Sequence, residues 1–327
     1  MDDREKPESV HCKFMVRERL RPAWLGSAKG IVNRIGVIGL NHRNITYEPL
    51  PDKLVKMYLG GYGIGSYILL TRQTARVDPF GLEAWLGFTT GPLTGTNAIT
   101  GNRYTVVGKS PKTGGWGDAN CGGNFGPAMK MSGFDHLFLH GVALEPVVVC
   151  LEDGFAKLRS AGDLWGLGCV ETEDRLREEY GPEVAVACVG PSGERGSLLA
   201  CVIHRKGRAA GPSGLGAVMG AKKIKAVVAS ASGEVPVADG EGIKRVRNEL
   251  IKVSKGSPYY NHYRNCGMCG STVGAILRES ASVKNWAGTS EDFPGLEEIS
   301  GDRVKSIQVR RYGCWEVPFV LPWACQG

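Results

Sequence analysis

From Ile31 onward the chain is written in short apolar runs. RIGVIGL, RYTVVGKS, HLFLHGV, PVVVCLE, VAVACVG and LLACVIH are rich in valine, isoleucine and leucine and are punctuated by glycine, proline or charged residues, which predicts strands. Two helical patterns interrupt them. In residues 51–60, Leu54, Met57 and Tyr58 recur at i, i+3 and i+4, with Gly60 as a stop. In CVETEDRLREEYG, Thr172 is the expected N-cap, acidic residues fill the first turn and Gly181 ends the helix. Past KIKAVVAS the texture changes. GEVPVADG reads as a linker, and EGIKRVRNELIKVSKG as an amphipathic helix that opens a second domain. The pattern divides the chain into a charged, aperiodic and poorly ordered extension (1–30), a β domain (31–235) and the start of a helical domain (236–327) too short to close a helical layer alone.

Composition alters this picture in three places. The 327 residues, 42% hydrophobic and 22% charged, can bury a sizeable core, and the 47 glycines fall between apolar runs, as tight turns or close ligand approach require. The net charge of +7 does not read as nucleic-acid binding, because Lys and Arg are scattered and the one dense patch, AKKIKA, alternates with apolar residues. A local basic pocket for an anionic cofactor suits the surplus better. No apolar stretch reaches the ~20 residues of a spanning helix and no signal peptide is legible, so the expected location is cytoplasmic, with no membrane partner. Without an export signal the ten cysteines are not read as disulfides; Cys150, Cys188 and Cys201 sit in apolar runs as small hydrophobes.

Glycine-bearing segments carry the candidate chemistry. LGGYGIGS follows a helix and lacks the spacing of a dinucleotide loop. TGPLTGT leads through GNRYTVVGKSP to GDANCGGNFG, placing Arg103, Asn120, Gly122 and Gly123 between strands. Glycine there lets backbone N–H groups approach a phosphate or pterin edge, while Arg and Asn supply directional bonds; simple turns with a solvated Arg are the alternative. In HRKGRAAGPSGLGAVMGAKKIKAVV, small residues including Ala209 and Gly211 leave room for a large ligand beside Arg208, or else form a glycine-rich turn between sheets. CGMC, with Cys266 and Cys269, is a lone C-x2-C without the second pair of a structural zinc site.

The ordered series LGGYGIG, GPLTGT, GNRYTVVGKSP, ANCGGNFG, SGFDHLFLHGVALEPVVV, LWGLGCVETEDRLREEYG, GPSGERGSLLACVI and GRAAGPSGLGAVMGAKKIKAV resembles the N-terminal domain of the aldehyde:ferredoxin oxidoreductase family. The resemblance implies an α+β fold: an N-terminal two-sheet β domain with a few helices, then an incomplete α-helical domain. It also implies a platform for a tungsten or molybdenum bis-pterin cofactor whose metal is held by pterin dithiolenes rather than side chains. The implied pterin and phosphate contacts are Arg103, Asn120, Gly122, Arg208, Ala209 and Gly211. One position departs: Pro212 stands where the family carries Arg, removing a cation and a backbone N–H together.

In such proteins a segment like RRYGCW opens a C-x2-C-x3-C motif for a 4Fe-4S cluster. This chain reads RRYGCWEVPFVLPWACQG, so Cys314 is the one metal ligand assigned, with Val317 and Leu321 at the other expected positions. If Val317 is encoded GTG and Leu321 CTG, each ahead of a proline codon, a one-base shift of frame after Trp315 would return cysteine at both, and the chain is expected to be truncated. The implied activity is oxidation of an aldehyde or related carbonyl compound, with electrons passing through the cluster to ferredoxin, and a homodimer is the assembly expected. Acid–base residues belong to the missing helical half, so no catalytic residue is assigned and this chain alone is expected to be inactive. A non-catalytic cofactor-binding scaffold, an inert pseudogene product and another family branch, such as an aryl acyl-CoA or carboxylate reductase, are the alternative readings.

Overall fold

The computed structural model describes residues 28–231 and 233–308; most of the expected N-terminal extension, and Cys314, Val317 and Leu321, lie outside them. The described strands form two six-stranded sheets. The first contains β1 (Ile35–Gly39), β2 (Asn44–Glu48), β3 (Leu86–Thr90), β4 (Tyr104–Lys109), β5 (Trp116–Cys121) and β6 (His136–His140), in the order β2-β1-β6-β3-β4-β5. The second contains β7 (Val147–Glu152), β8 (Phe155–Ser160), β9 (Ala185–Cys188), β10 (Val202–His204), β11 (Arg208–Ala210) and β12 (Ile224–Ala229), in the order β8-β7-β12-β9-β10-β11.

The two orders are the same order. Each sheet opens with a hairpin, adds a three-stranded antiparallel meander, and places its last strand in the central gap, parallel to the first strand and antiparallel to the third. A helix precedes each central strand: α3 (Phe125–Met131) before β6 and α6 (Leu215–Ala221) before β12. Phe125, Gly126 and Met129 recur as Leu215, Gly216 and Met219, and both helices are buried in one core with residues of both sheets. The domain is a structural duplication.

All six predicted strands are present, as β1, β4, β6, β7, β9 and β10, and those buried along their whole length, such as β1 and β9, are continuous apolar runs. The helices were harder to read. LGGYGIGS runs from Leu59, the C-cap of α1 (Asp52–Tyr58), through Gly60 into the first turns of α2 (Gly61–Arg72). Gly65 permits this, because a Cβ there would stand 3.0 Å from Val107 Cγ1 of the sheet beneath. In the second sheet, α4 (Cys169–Tyr180) packs Leu176 against Val148, Val186 and Val228. Thr172 is not its N-cap: the helix begins three residues earlier, Gly168 is the cap, and the buried Thr172 Oγ1 donates to the Gly168 carbonyl at 2.8 Å. Gly181 does end it, at φ 103°.

Nor is AKKIKA a surface patch. Lys222 is buried and donates to the carbonyls of Ala84 (2.6 Å) and Gly141 (3.0 Å). Lys225 donates to Leu167 O (2.7 Å) and pairs with Glu194 (2.6 Å) of α5 (Pro191–Glu194). A third buried lysine, Lys130, reaches Gly30 O and, at 2.7 Å, Gly91 O, with Asp135 Oδ1 at 3.7 Å. Burial pushes the Lys130 and Lys222 ammonium groups down to about 8.

The helical region begins with α7 (Gly240–Lys255), as predicted; Asp239 caps it by accepting from Gly242 N at 2.7 Å. α8 (Tyr259–Cys266), α9 (Thr272–Leu277) and α10 (Gly301–Ser306) follow, with few buried side chains. No described helix is long and apolar enough to cross a membrane.

His136 of β6 and His204 of β10 are buried, and that burial pushes both imidazoles down to about 3. The unfolded chain takes up protons near pH 6.5 and the folded chain does not, so this stability is complete above 6.5 and is lost as pH falls toward 3. Each histidine should contribute a slope of about 1.4 kcal/mol per pH unit within that window. Urea unfolding from pH 7 to 4.5 should show it, and His136→Gln should reduce the slope by one histidine's share. An unchanged slope would mean that His136 is charged in the folded protein.

Candidate functional site

β5 and β11 are the terminal strands of their sheets, at equivalent positions in the duplication, and they lie beside one another. The candidate residues collect at this seam. On the first sheet, Asn120 pairs with Thr105 across β4 and β5, and its Nδ2 donates to Thr105 Oγ1 at 3.0 Å. Its Oδ1 accepts a bond from Arg103 Nε, so the exposed guanidinium and the amide are held as a unit. The chain then turns through Gly122 and Gly123 into α3.

On the second sheet, the β10–β11 hairpin carries His204 and Arg208 to the same turn. A Cβ on Gly123, which has φ 100°, would stand 2.5 Å from His204 Cδ2 and 3.0 Å from Arg208 Cδ. Glycine is needed there for its conformation and for its lack of a side chain. His204 ties the two halves together. Its Nδ1 lies 2.7 Å from Val186 O, a pure acceptor, so that nitrogen carries the proton. Nε2 then accepts from Asn124 N at 3.1 Å, with the Asn124 side-chain amide 2.9 Å away. A second tie lies nearby: Ser213 Oγ donates to Asp118 O (3.0 Å) and accepts from Asp118 N (3.3 Å), while Ser110 Oγ donates to Ser213 O (2.9 Å).

The structure therefore joins Arg103 to Asn120, and Arg208 to the Gly122–Gly123 turn. Ala209 is exposed beside Arg208, and Gly211 follows β11 with only Cys201 Sγ, at 3.5 Å, and Ala209 Cβ near the place a Cβ would take. Pro212 is exposed and opens a 3-10 turn (Pro212–Gly214), where a missing N–H costs the turn nothing; what it removes is the cation. Sequence reasoning did not assign His204 or the Asp118–Ser213 clasp. The alternation of Val202 and His204 in ACVIH was the available signal, since period two turns both side chains to one face.

The seam presents two guanidinium groups and an amide, groups able to bind an anion, around a turn whose Gly122 and Gly123 are buried. His204, neutral and fully bonded, is not an acid–base group here. Among the described residues no three His, Cys, Asp or Glu side chains gather as a metal site, and Cys266 and Cys269 find no third ligand.

The family profile described as "Aldehyde ferredoxin oxidoreductase, N-terminal domain" matches residues 35–231. The tungsten-containing aldehyde ferredoxin oxidoreductase of Pyrococcus abyssi is 41% identical over 228 residues, covering 69% of this chain and 38% of that protein. The "Aliphatic sulfonate oxidoreductase, WOR-like subunit" of Pyrococcus furiosus is 31% identical over 280 residues, covering 80% of this chain and 44% of that one. In fold, the chain is similar to the active site complex BamBC of benzoyl coenzyme A reductase, with TM-score 0.76, 24% identity, and coverage of 89% of this chain and 46% of that one. The chain spans less than half the length of each of these relatives. Matched along both sheets, with relatives that are oxidoreductases, it belongs to the aldehyde ferredoxin oxidoreductase family through that family's N-terminal domain.

Proposed function

We propose that the seam between β5 and β11 is the platform for a tungsten or molybdenum bis-pterin cofactor. The carrying observation is the duplication, which brings two equivalent strand-to-helix loops to one place and so suits a ligand made of two like halves. The residues present fit such a group. Arg103 and Arg208 would neutralise its phosphates, and Asn120, oriented by Arg103 and Thr105, would direct a hydrogen bond to it. Gly122, Ala209 and Gly211 would let it lie close to the backbone. When bound, the pterin-held metal supplies the redox chemistry; this chain supplies position and charge.

In the longer protein of which this chain corresponds to the N-terminal part, the proposed reaction is oxidation of an aldehyde or related carbonyl compound, with electrons leaving through a 4Fe-4S cluster to ferredoxin. Homodimer assembly and a cytoplasmic location belong to the same proposal. The tungsten-containing relative supports the metal, and the family supports the redox class.

The test is metal content by inductively coupled plasma mass spectrometry, with pterin fluorescence after oxidative release, on the chain purified from a host that makes the cofactor. Tungsten or molybdenum with pterin in the parent chain, reduced on the order of tenfold or more in Arg103→Ala and in Arg208→Ala at unchanged melting temperature, is the expected result. A parent chain free of both would sink the proposal.

Two further variants report on the seam. Pro212→Arg returns a cation to an exposed turn and should raise the retained metal and pterin. Gly123→Ala should lower both and should also lower the melting temperature, because its methyl group meets the His204 ring.

A further inference from the structure

Away from the seam, on the outer face of the second sheet, the turn that enters α4 holds a second concentration of chemistry. Cys169 is the first residue of α4, half-buried, at the end of the helix where N–H groups point outward and favour an anion. Cys188, the last residue of β9, lies directly beneath it, fully buried, with its Sγ donating to the Cys169 carbonyl oxygen at 3.7 Å. Gly190 keeps the space open, since a Cβ there would come 3.3 Å from Cys169 Sγ. The turn is braced from below: the buried Lys225 donates to Leu167 O, and Glu194 accepts from Gly166 N at 2.9 Å while pairing with Lys225. A fixed thiol pair at a helix N-terminus beside a buried ammonium is more than small-hydrophobe packing requires.

We infer that Cys169 and Cys188 are a reactive dithiol, Cys169 the attacking and Cys188 the resolving thiol, which a hydroperoxide converts to an intramolecular disulfide. The Cys188 hydrogen bond first, and then the Lys225 charge, hold the Cys169 thiol below its ordinary value, while its bond to Cys169 and its burial raise that of Cys188. The two sulfurs are therefore unequal, as a sequential reaction needs. In the first step the Cys169 thiolate attacks the peroxide: an S–O bond forms, the O–O bond breaks and an alcohol leaves, with the thiol proton going to its oxygen. In the second, Cys188 sulfur attacks Cys169 sulfur: the S–S bond forms, the S–O bond breaks, and water leaves carrying the Cys188 proton. Two electrons pass from the thiols to the peroxide, and a thiol reductant reverses the change. Nothing in this step uses the proposed pterin site.

The test is peptide mapping of the folded chain after stoichiometric hydrogen peroxide and alkylation. Trypsin separates the cysteines cleanly: Cys169 falls in residues 160–175, Cys188 in 178–195, and Cys201, a competing free thiol, in 196–205. The expected product joins the first two peptides, is lighter than their sum by two hydrogens, and exceeds every other pairing by on the order of tenfold. In guanidinium that selectivity should disappear. In Cys188→Ser, a dimedone adduct should appear at Cys169 instead; mapping of the parent chain decides the matter whether or not that variant folds. Recovery of both peptides as alkylated thiols, or pairing of Cys169 with Cys201, would overturn the inference.

Discussion

Everything at the seam depends on two sheet edges being locked in register without hydrogen bonds between their strands. A continuous sheet would achieve this through its backbone ladder, but it would also use up the N–H groups and the space that make the loops useful. Here the lock consists of side chains. The Ser213 hydroxyl acts as donor and acceptor to the same residue, Asp118, and so fixes both distance and direction. His204 spends both ring nitrogens, one in each sheet's territory, and being buried and neutral it cannot be loosened by protonation near neutral pH. Because neither tie uses the Arg103 or Arg208 guanidinium, a rigid frame is held without them.

Loops that run deep into a domain expose carbonyl oxygens to the interior, where each needs a donor. Three lysines answer that need. An ammonium offers three N–H bonds at the end of a flexible stem, so Lys222 can serve Ala84 and Gly141 together, and Lys130 can serve Gly30 and Gly91. The desolvation cost is heavy and is visible in the lowered proton affinity of both groups. Lys225 instead keeps a carboxylate partner, Glu194, and through it steadies the turn before α4. Basic residues that look in sequence like a charged surface are thus the internal bracing of the loops.

What was legible in the sequence follows from this physics. β1, β4, β6, β7, β9 and β10 declared themselves because burial favours apolar runs, whereas mixed strands such as β2, β5 and β8 did not; α7 was legible because an amphipathic helix shows its period. The helices α2, α3 and α6 did not, since their glycines mark close packing rather than loops: Gly65 sits over Val107, and Gly216 lies against the Ala200 carbonyl at a distance no side chain allows. Thr172 misled because a threonine ahead of an acidic turn resembles a cap, whereas its hydroxyl bonds back along the helix. The seam residues came from resemblance to a family; the structure bonds Arg103 to Asn120 and sets Arg208 against the Gly123 turn. The duplication behind that geometry was invisible because a shared topology survives the loss of all but a few shared residues.

The central placement of each last strand also has a meaning for synthesis. β1 and β3 cannot become neighbours of a common strand until β6 has been made, and Ile35 waits for His136 as Val147 waits for Ile224. Until then the nascent chain carries apolar strands with unsatisfied edges, the condition in which strands pair wrongly or recruit chaperones. Each sheet is, however, contiguous along the chain, so the first can be sealed on the ribosome before the second begins to emerge. The duplicated plan divides one long, slow closure into two shorter ones made in turn, and leaves the docking of two finished halves as the last event.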